Sequence, residues 1–170
     1  MSDELNGLLD CMTEGLRALL RTRGLHDPAM VGIYTGGVWV AEQLHARLGI
    51  GSPLGTLDIS FYRDDFSRIG MHPQVRPSKL EFNIDNRHII LVDDVLYTGR
   101  TVRAALNEIF DFGRPASVSL AVLLERDGRE LPIEAQVFGR HLDLSPGQQI
   151  KLSGPDPLCL SIHEPPEADL

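Results

Sequence analysis

The sequence predicts an α/β fold: a parallel sheet flanked by helices. Three observations carry this. Apolar runs of strand length stand at 29–34, 89–92 and 116–124, the last broken only by Ser117 and Ser119, the pattern of strands buried on both faces. The first two runs are each followed by a small glycine-bearing turn, Thr35-Gly36-Gly37 and Tyr97-Thr98-Gly99-Arg100-Thr101. After each turn, apolar residues recur at helical spacing. Strand, turn and helix in this order build a parallel sheet, whose ligands bind at the carboxyl ends of its strands.

The elements follow in order. Leu5 to Arg23 carries Leu5, Leu8, Leu9, Met12, Leu16, Leu19 and Leu20 at gaps of mostly three or four, an amphipathic helix ended by Gly24. Arg17, Arg21 and Arg23 stand toward its C-terminal end, where cations complement the helix dipole. Ala29 to Tyr34 is a buried strand, and Val38 to Leu48 is the helix after it. Leu54 to Tyr62 alternates loosely and predicts a strand. The stretch 63–78 holds Gly70, Pro73 and Pro77 and few apolar residues, so it predicts a long flexible loop or hairpin flap carrying Arg63.

Ile89 to Val92 is the next strand. The acid pair Asp93 and Asp94 follows at once, then Val95 and Leu96, the turn to Thr101, and a helix to Phe112. Ala116 to Leu124 is a further buried strand and Glu125 to Pro132 a charged turn. Ala135 to Phe138 is a short strand. Ile150–Leu152 and Leu158–Ile162 suit an edge hairpin across Gly154-Pro155-Asp156-Pro157. A frayed acidic tail runs from about residue 164. All of this fits one domain over 1–170.

Composition narrows the function. Hydrophobic residues make up 42% and charged residues 24%, as in ordinary globular proteins. The net charge of −8 argues against a surface built throughout for nucleic acid. Cys11 and Cys159 form no CxxC pair and read as two reduced thiols. No apolar run approaches the ~20 residues of a membrane span, and the start lacks a signal-peptide pattern, which together predict a soluble cytoplasmic protein. None of the six histidines has metal-ligand spacing toward another. The acid pair beside a turn that opens a helix suits a ligand bearing both hydroxyl and phosphate groups, such as a sugar phosphate.

The stretch Ile89 to Thr101 resembles the phosphoribosyl pyrophosphate (PRPP) signature of type I phosphoribosyltransferases. In the form Val-Asp-Asp-Val-Leu-Tyr-Thr-Gly-Arg-Thr it is most similar to the PyrR family, pyrimidine operon regulators that are also uracil phosphoribosyltransferases. Asp58 to Phe66, Asp111 to Pro115, Leu120 to Leu123 and Arg129 to Pro132 match in the same order. The resemblance implies a parallel five-stranded sheet with helices on both faces, a small hood and a flexible loop. It implies transfer of ribose 5-phosphate from Mg²⁺-PRPP to uracil, giving UMP and pyrophosphate. Backbone and hydroxyl groups from Val95 to Thr101 would hold the 5′-phosphate. Asp93 and Asp94 would accept from the ribose hydroxyls, directly or through Mg²⁺-bound water. The turn Thr35-Gly36-Gly37 would face the pyrophosphate, with Arg63 closing over it. The family also binds pyrimidine-leader RNA, for which Arg17, Arg21, Arg23, Arg140 and Lys151 are the candidate contacts, and assembles as dimers or higher oligomers.

The sequence departs from the family where it usually reads Lys-Thr-Arg-Gly. Here Tyr34-Thr35-Gly36-Gly37 lacks both cations. One charge-assisted contact is worth roughly 1.5–3 kcal/mol, so weakened PRPP binding or slower transfer is expected. The family's Arg-Gly-His-Arg-Glu-Leu-Pro is here Arg126-Asp127-Gly128-Arg129-Glu130-Leu131-Pro132, without its histidine, and a later Lys-Asn segment is Arg140-His141. Two functions are therefore expected to compete: an active enzyme and regulator, or a weakly active or inactive one that binds UMP, PRPP and RNA or a protein partner.

Overall fold

A computed structural model describes residues 2–60 and 77–164. Helix α1 spans Asp3–Arg23, strand β1 Ala29–Ile33, helix α2 Gly36–Leu48 and strand β2 Gly55–Leu57. Strand β3 spans His88–Leu96, helix α3 Arg100–Phe112, strand β4 Ser117–Arg126 and strand β5 Val137–Leu142. Strands β6, Gln149–Ser153, and β7, Cys159–His163, complete the order. The first five strands form one sheet in the order β2-β1-β3-β4-β5, with every neighbouring pair parallel.

The apolar runs are shared between two layers by the two-residue period of a strand. Ile90 and Val92 of β3, Met30 of β1, and Ala121 and Leu123 of β4 face the core under α1 and α2. Ile89, Leu91, Val31, Leu120 and Val122 face the core under α3. Helix α1 lies over β4 and β5, and α2 over β1 and β3. Close contact of α2 with the sheet depends on Gly32. A Cβ there would stand 2.8 Å from Val38 Cα and 2.9 Å from Ala41 Cβ.

Several boundaries differ from the sequence expectation. Strand β3 does not stop at Val92. It continues through the acid pair to Leu96, because β4 goes on pairing with it: Asp93 stands opposite Val122 and Leu96 opposite Glu125. Of the strand expected over Leu54–Tyr62, β2 covers only Gly55–Leu57 among the described residues, and Phe61 and Tyr62 lie outside them. Asp58 turns the chain, accepting the backbone N–H of Ser60 at 2.9 Å, the local bond that lets aspartate compete with a strand ladder. Strand β5 starts later and runs on to Leu142, paired with β4 as far as Arg126. The expected hairpin forms, but as a separate two-stranded sheet rather than an edge of the main one. It is the small hood, seated on the α1 face through Leu152 and Leu158. Of the expected flap, residues up to 76 lie outside the described residues. Just beyond them Lys79 pairs with Thr56 through two 2.8 Å backbone hydrogen bonds.

Replacing Gly32 by valine should cost about 1–3 kcal/mol, the usual range for overpacking a core. Urea unfolding of the two proteins measures it.

Candidate functional site

Strands β1 and β3 are neighbours in the sheet, yet their following helices leave in opposite directions, α2 to one face and α3 to the other. This order, 2-1-3-4-5, has its switch point between β1 and β3, and an open parallel sheet holds its ligand in the crevice there. The two glycine-bearing turns singled out in the sequence both end there.

The helices at this edge begin in an unusual way. The first four N–H groups of any helix lack helical partners. Helix α1 meets that demand ordinarily: Ser2 accepts the Leu5 N–H at 3.3 Å, and Asp3 and Glu4 occupy the first turn. The N-cap residues of α2 and α3, Thr35 and Gly99, make no side-chain capping hydrogen bond, and neither helix has an acid in its first turn; at α3 only the Arg100 N–H finds a side chain, Thr98 Oγ1 at 3.2 Å. Both N-termini are left with donors and a positive dipole end for an anion. The glycines of the first turn belong to α2 itself, which starts at Gly36 rather than Val38.

Between these helix ends stands the acid pair. Asp93 is buried, 4% exposed, and accepts the Asp94 N–H at 2.9 Å. Asp94 is half-buried and accepts the Val95 N–H at 2.8 Å. The β1–α2 turn lies directly against them. A Cβ on Gly36 would stand 2.2 Å from Asp94 Oδ2, and one on Gly37 would stand 2.7 Å from the Val92 carbonyl and 3.1 Å from Asp93 Oδ1. The two glycines thus serve a purpose besides phosphate approach: they let the turn close on the carboxylates. An arginine at position 36 can be accommodated if Asp94 swings aside. The donor set is oxygen only and partly exposed, which fits Mg²⁺ with several waters retained.

The turn after β3 is held from the segment 126–131. Arg126 stacks its guanidinium 4.1 Å over the Tyr97 ring, and its Nη1 donates to the Gln148 carbonyl at 3.3 Å. Gly128 has φ +118 and lies against that ring: a Cβ there would stand 2.3 Å from Tyr97 Cε2. The ring therefore fills the space of the side chain missing at 128. Arg129 donates to the Tyr97 carbonyl. The Thr98 carbonyl accepts from the N–H groups of Glu130 at 2.9 Å and Leu131 at 3.2 Å. Arg100 pairs with Glu130 at 2.7 Å. Val95, Leu96, Thr98 and Thr101 line out the remainder of this segment, with Leu96 buried and Thr98 and Thr101 half-buried.

The structure thus brings Thr35, Gly36, Gly37, Asp93, Asp94 and the turn to Thr101 to one edge. Arg63 lies outside the described residues. The five candidate RNA contacts do not form one patch. Arg140 pairs with Glu4 at 2.6 Å, at the N-terminal end of α1, and Lys151 lies exposed on β6. Arg17, Arg21 and Arg23 lie toward the other end. Glu4 and Arg21 are about 26 Å apart at 1.5 Å of rise per residue. Arg17 is also engaged, by Glu14 at 2.6 Å and the Arg47 carbonyl at 3.0 Å.

Sequence spacing missed the supports in 125–131 and a histidine cluster. Parallel pairing sets His141 of β5 beside Glu125 of β4. His141 Nδ1 is 3.2 Å from Glu125, and its Nε2 is 3.5 Å from Asp127 and 3.6 Å from Asp143. One ligand atom each from Asp127, His141 and Asp143 falls within 4.8 Å, an exposed group that can hold a cation. Linear spacing cannot show such a cluster, because strand pairing creates it. His88, by contrast, pairs with Ser117 at 2.9 Å at the far end of β3 and has no part in the site. Cys11 and Cys159 are free and exposed, and no described helix is long and apolar enough to cross a membrane.

Comparison with known proteins agrees with this geometry. Residues 8–145 match the phosphoribosyl transferase domain family. The bifunctional protein PyrR of Nitrosococcus oceani is 62% identical over 164 residues, covering 95% of this chain and 93% of that protein. That of Pseudomonas aeruginosa is 60% identical over 153 residues, covering 90% of each. Among solved structures, the hypoxanthine phosphoribosyltransferase of Trypanosoma cruzi superimposes with a TM-score of 0.64 at 20% identity, over 83% of this chain and 76% of that one. The Staphylococcus aureus hypoxanthine phosphoribosyltransferase gives 0.62 at 21% identity, over 81% and 74%. At such identities the structures speak for the fold alone.

The carboxylates around His141 raise its pKa above the ordinary value, first through the Glu125 hydrogen bond, against a lowering by burial, and then through the charges of Asp127, Glu125 and Asp143. A raised folded-state pKa adds stability that is complete below the unfolded pKa and is lost as pH rises through the folded value. An NMR titration should place the His141 midpoint above about 6.5. In His141→Gln the acid-side gain in stability should vanish, while the two proteins converge above the folded midpoint.

Proposed function

This chain belongs to the phosphoribosyltransferase domain family, in its PyrR group, and from that premise we propose that it transfers ribose 5-phosphate from PRPP to uracil and regulates pyrimidine genes through leader RNA. One observation carries the catalytic half: two helix N-termini whose N-cap residues make no side-chain bond flank an acid pair at the switch point of a parallel sheet. PRPP has two anionic groups with a ribose between them. The start of α3 and the Tyr97–Thr101 turn suit the 5′-phosphate. The Thr35–Gly37 turn at the start of α2 suits the pyrophosphate. Asp93 and Asp94 lie between and suit the ribose hydroxyls.

In the reaction the C1′–oxygen bond to pyrophosphate breaks, a bond from uracil N1 to C1′ forms, and the N1 proton is lost. Positive charge develops on the ribose as negative charge departs. The chain therefore acts by positioning and electrostatics. The acid pair orients the ribose and faces its developing positive charge. Helix amides hold the phosphate ends in place. Bound Mg²⁺ would be held through water by Asp93 and Asp94 and supplies charge neutralisation of the leaving group.

A specific observation favours the second reading, a binding regulator of low activity. The β1–α2 turn brings no cation, and Asp94 sits against it with its carboxylate over Gly36. A pyrophosphate at that turn meets backbone N–H groups and a neighbouring negative charge. The proposed RNA contacts, divided between the two ends of α1, would engage separate segments of an RNA rather than one stem. A cytoplasmic, self-associating protein suits both readings.

Formation of UMP from PRPP and uracil with Mg²⁺ tests the enzyme directly. Asp94→Asn should lower kcat/KM roughly 10- to 100-fold. No product from the unaltered protein, with UMP still bound, would leave only the binding regulator. Two variants at one position test the role of the missing cation. Gly36→Ala displaces Asp94 without adding charge and should lower activity. Gly36→Arg displaces it equally and adds a cation, so activity above that of Gly36→Ala identifies the cation as limiting. A gel shift with pyrimidine-leader RNA that UMP strengthens and salt weakens supports the regulatory half; no shift at low salt removes it.

A further inference from the structure

We infer that Arg129 is a positioning residue for the phosphate turn, acting through the carbonyl of Tyr97. This rests on the reading that the Tyr97–Thr101 turn holds a 5′-phosphate. The argument is one of peptide geometry. A peptide unit is planar and, when trans, its C=O and N–H point in opposite directions. Arg129 draws the Tyr97 carbonyl to its own side, so the N–H of Thr98, in the same peptide plane, is turned the other way. The backbone N–H groups of Glu130 and Leu131 draw the Thr98 carbonyl to that side too, and the N–H of Gly99 is turned away in its turn. Two successive carbonyls are pulled back by one segment, and two successive amides are presented opposite, next to the start of α3, where the Arg100 N–H is met by Thr98 Oγ1 at 3.2 Å. Successive amides facing one way make an anion-binding concavity.

The guanidinium is itself oriented. Its Nη2 lies 3.7 Å from Glu125 Oε2, and Glu125 stands in register with Leu96, the residue before Tyr97. A carboxylate at the end of β4 thereby directs a cation onto the backbone leaving β3. Arg129 is partly buried, 27% exposed, so the interaction is screened less than a surface pair. Without it the Tyr97 carbonyl has lost its donor and the peptide is free to rotate, turning an acceptor toward the phosphate. The loss then falls on recognition of the phosphate and not on the nucleoside.

Calorimetric binding of UMP and of uridine to the full chain separates these. In the unaltered protein UMP should bind more tightly than uridine. If it does not, the reading of the turn as a phosphate site is itself wrong, and the inference falls with it. If it does, Arg129→Gln should lower the UMP-to-uridine preference about tenfold, with uridine affinity and melting temperature near those of the unaltered protein. Arg129→Lys, which keeps a donor and a charge, should recover part of the preference. Glu125→Gln should give an intermediate loss and provides the test should Arg129→Gln fail to fold. A folded Arg129→Gln or Glu125→Gln with the full UMP preference, or one that loses UMP and uridine in equal proportion, overturns the inference.

Discussion

No side chain fits between the β1–α2 turn and the carboxylates at the end of β3 without displacing something. A Cβ at Gly36 would stand within 2.2 Å of Asp94, and one at Gly37 within 2.7 Å of the β3 backbone. That contact joins the two halves of the site. It sets the start of α2 beside the acid pair, and it depends in turn on the sheet order that makes β1 and β3 neighbours. It also accounts for a peculiarity of the chain. Position 36 is glycine, and this lets the carboxylate and the turn meet.

Local stability and function divide along the same line. Helix α1 has a capping serine, acids in its first turn, arginines in its last and a left-handed glycine at its end, each of which stabilises a helix by about 0.3–2 kcal/mol. The N-cap residues of α2 and α3 make no side-chain bond, and neither first turn holds an acid, at the edge where the proposed ligand would need donors. Their stability comes from packing: Val40, Ala41 and Leu44 on one face of the sheet, and Val102, Ala105 and Ile109 on the other, are almost wholly buried. Elements that must present unsatisfied groups to a ligand are thereby anchored through their apolar faces.

The supports of the Tyr97–Thr101 turn show the same economy of parts. Arg126 and Gly128 hold the Tyr97 ring, and Arg129, Glu130 and Leu131 hold the carbonyls of Tyr97 and Thr98. A short charged segment that looks like an ordinary surface turn holds the backbone of the Tyr97–Thr101 turn in place. The absence of a histidine at 128 has a physical correlate, since an aromatic ring occupies the room its side chain would need.

Much of this was legible in the residues themselves. The four apolar residues from Ile89 to Val92 announce a strand buried on both faces, and the small turn and helical spacing after it place the acid pair at a ligand-bearing edge. Periodicity and local turn chemistry are sequence-local, so the sequence by itself determined the α/β class, the order of the elements and the residues of the acid pair and its turns. What depends on strand pairing was not legible. The extension of β3 through Asp93 and Asp94, the shortening of β2, the detachment of the hood hairpin and the meeting of His141 with Glu125 were decided by which backbone lies alongside which. The approach of Gly36 to Asp94 and the grip of Arg129 on Tyr97 belong to the same class. They join residues far apart in the chain, and only the tertiary structure decided them, because such contacts exist once β1, β3 and β4 lie side by side.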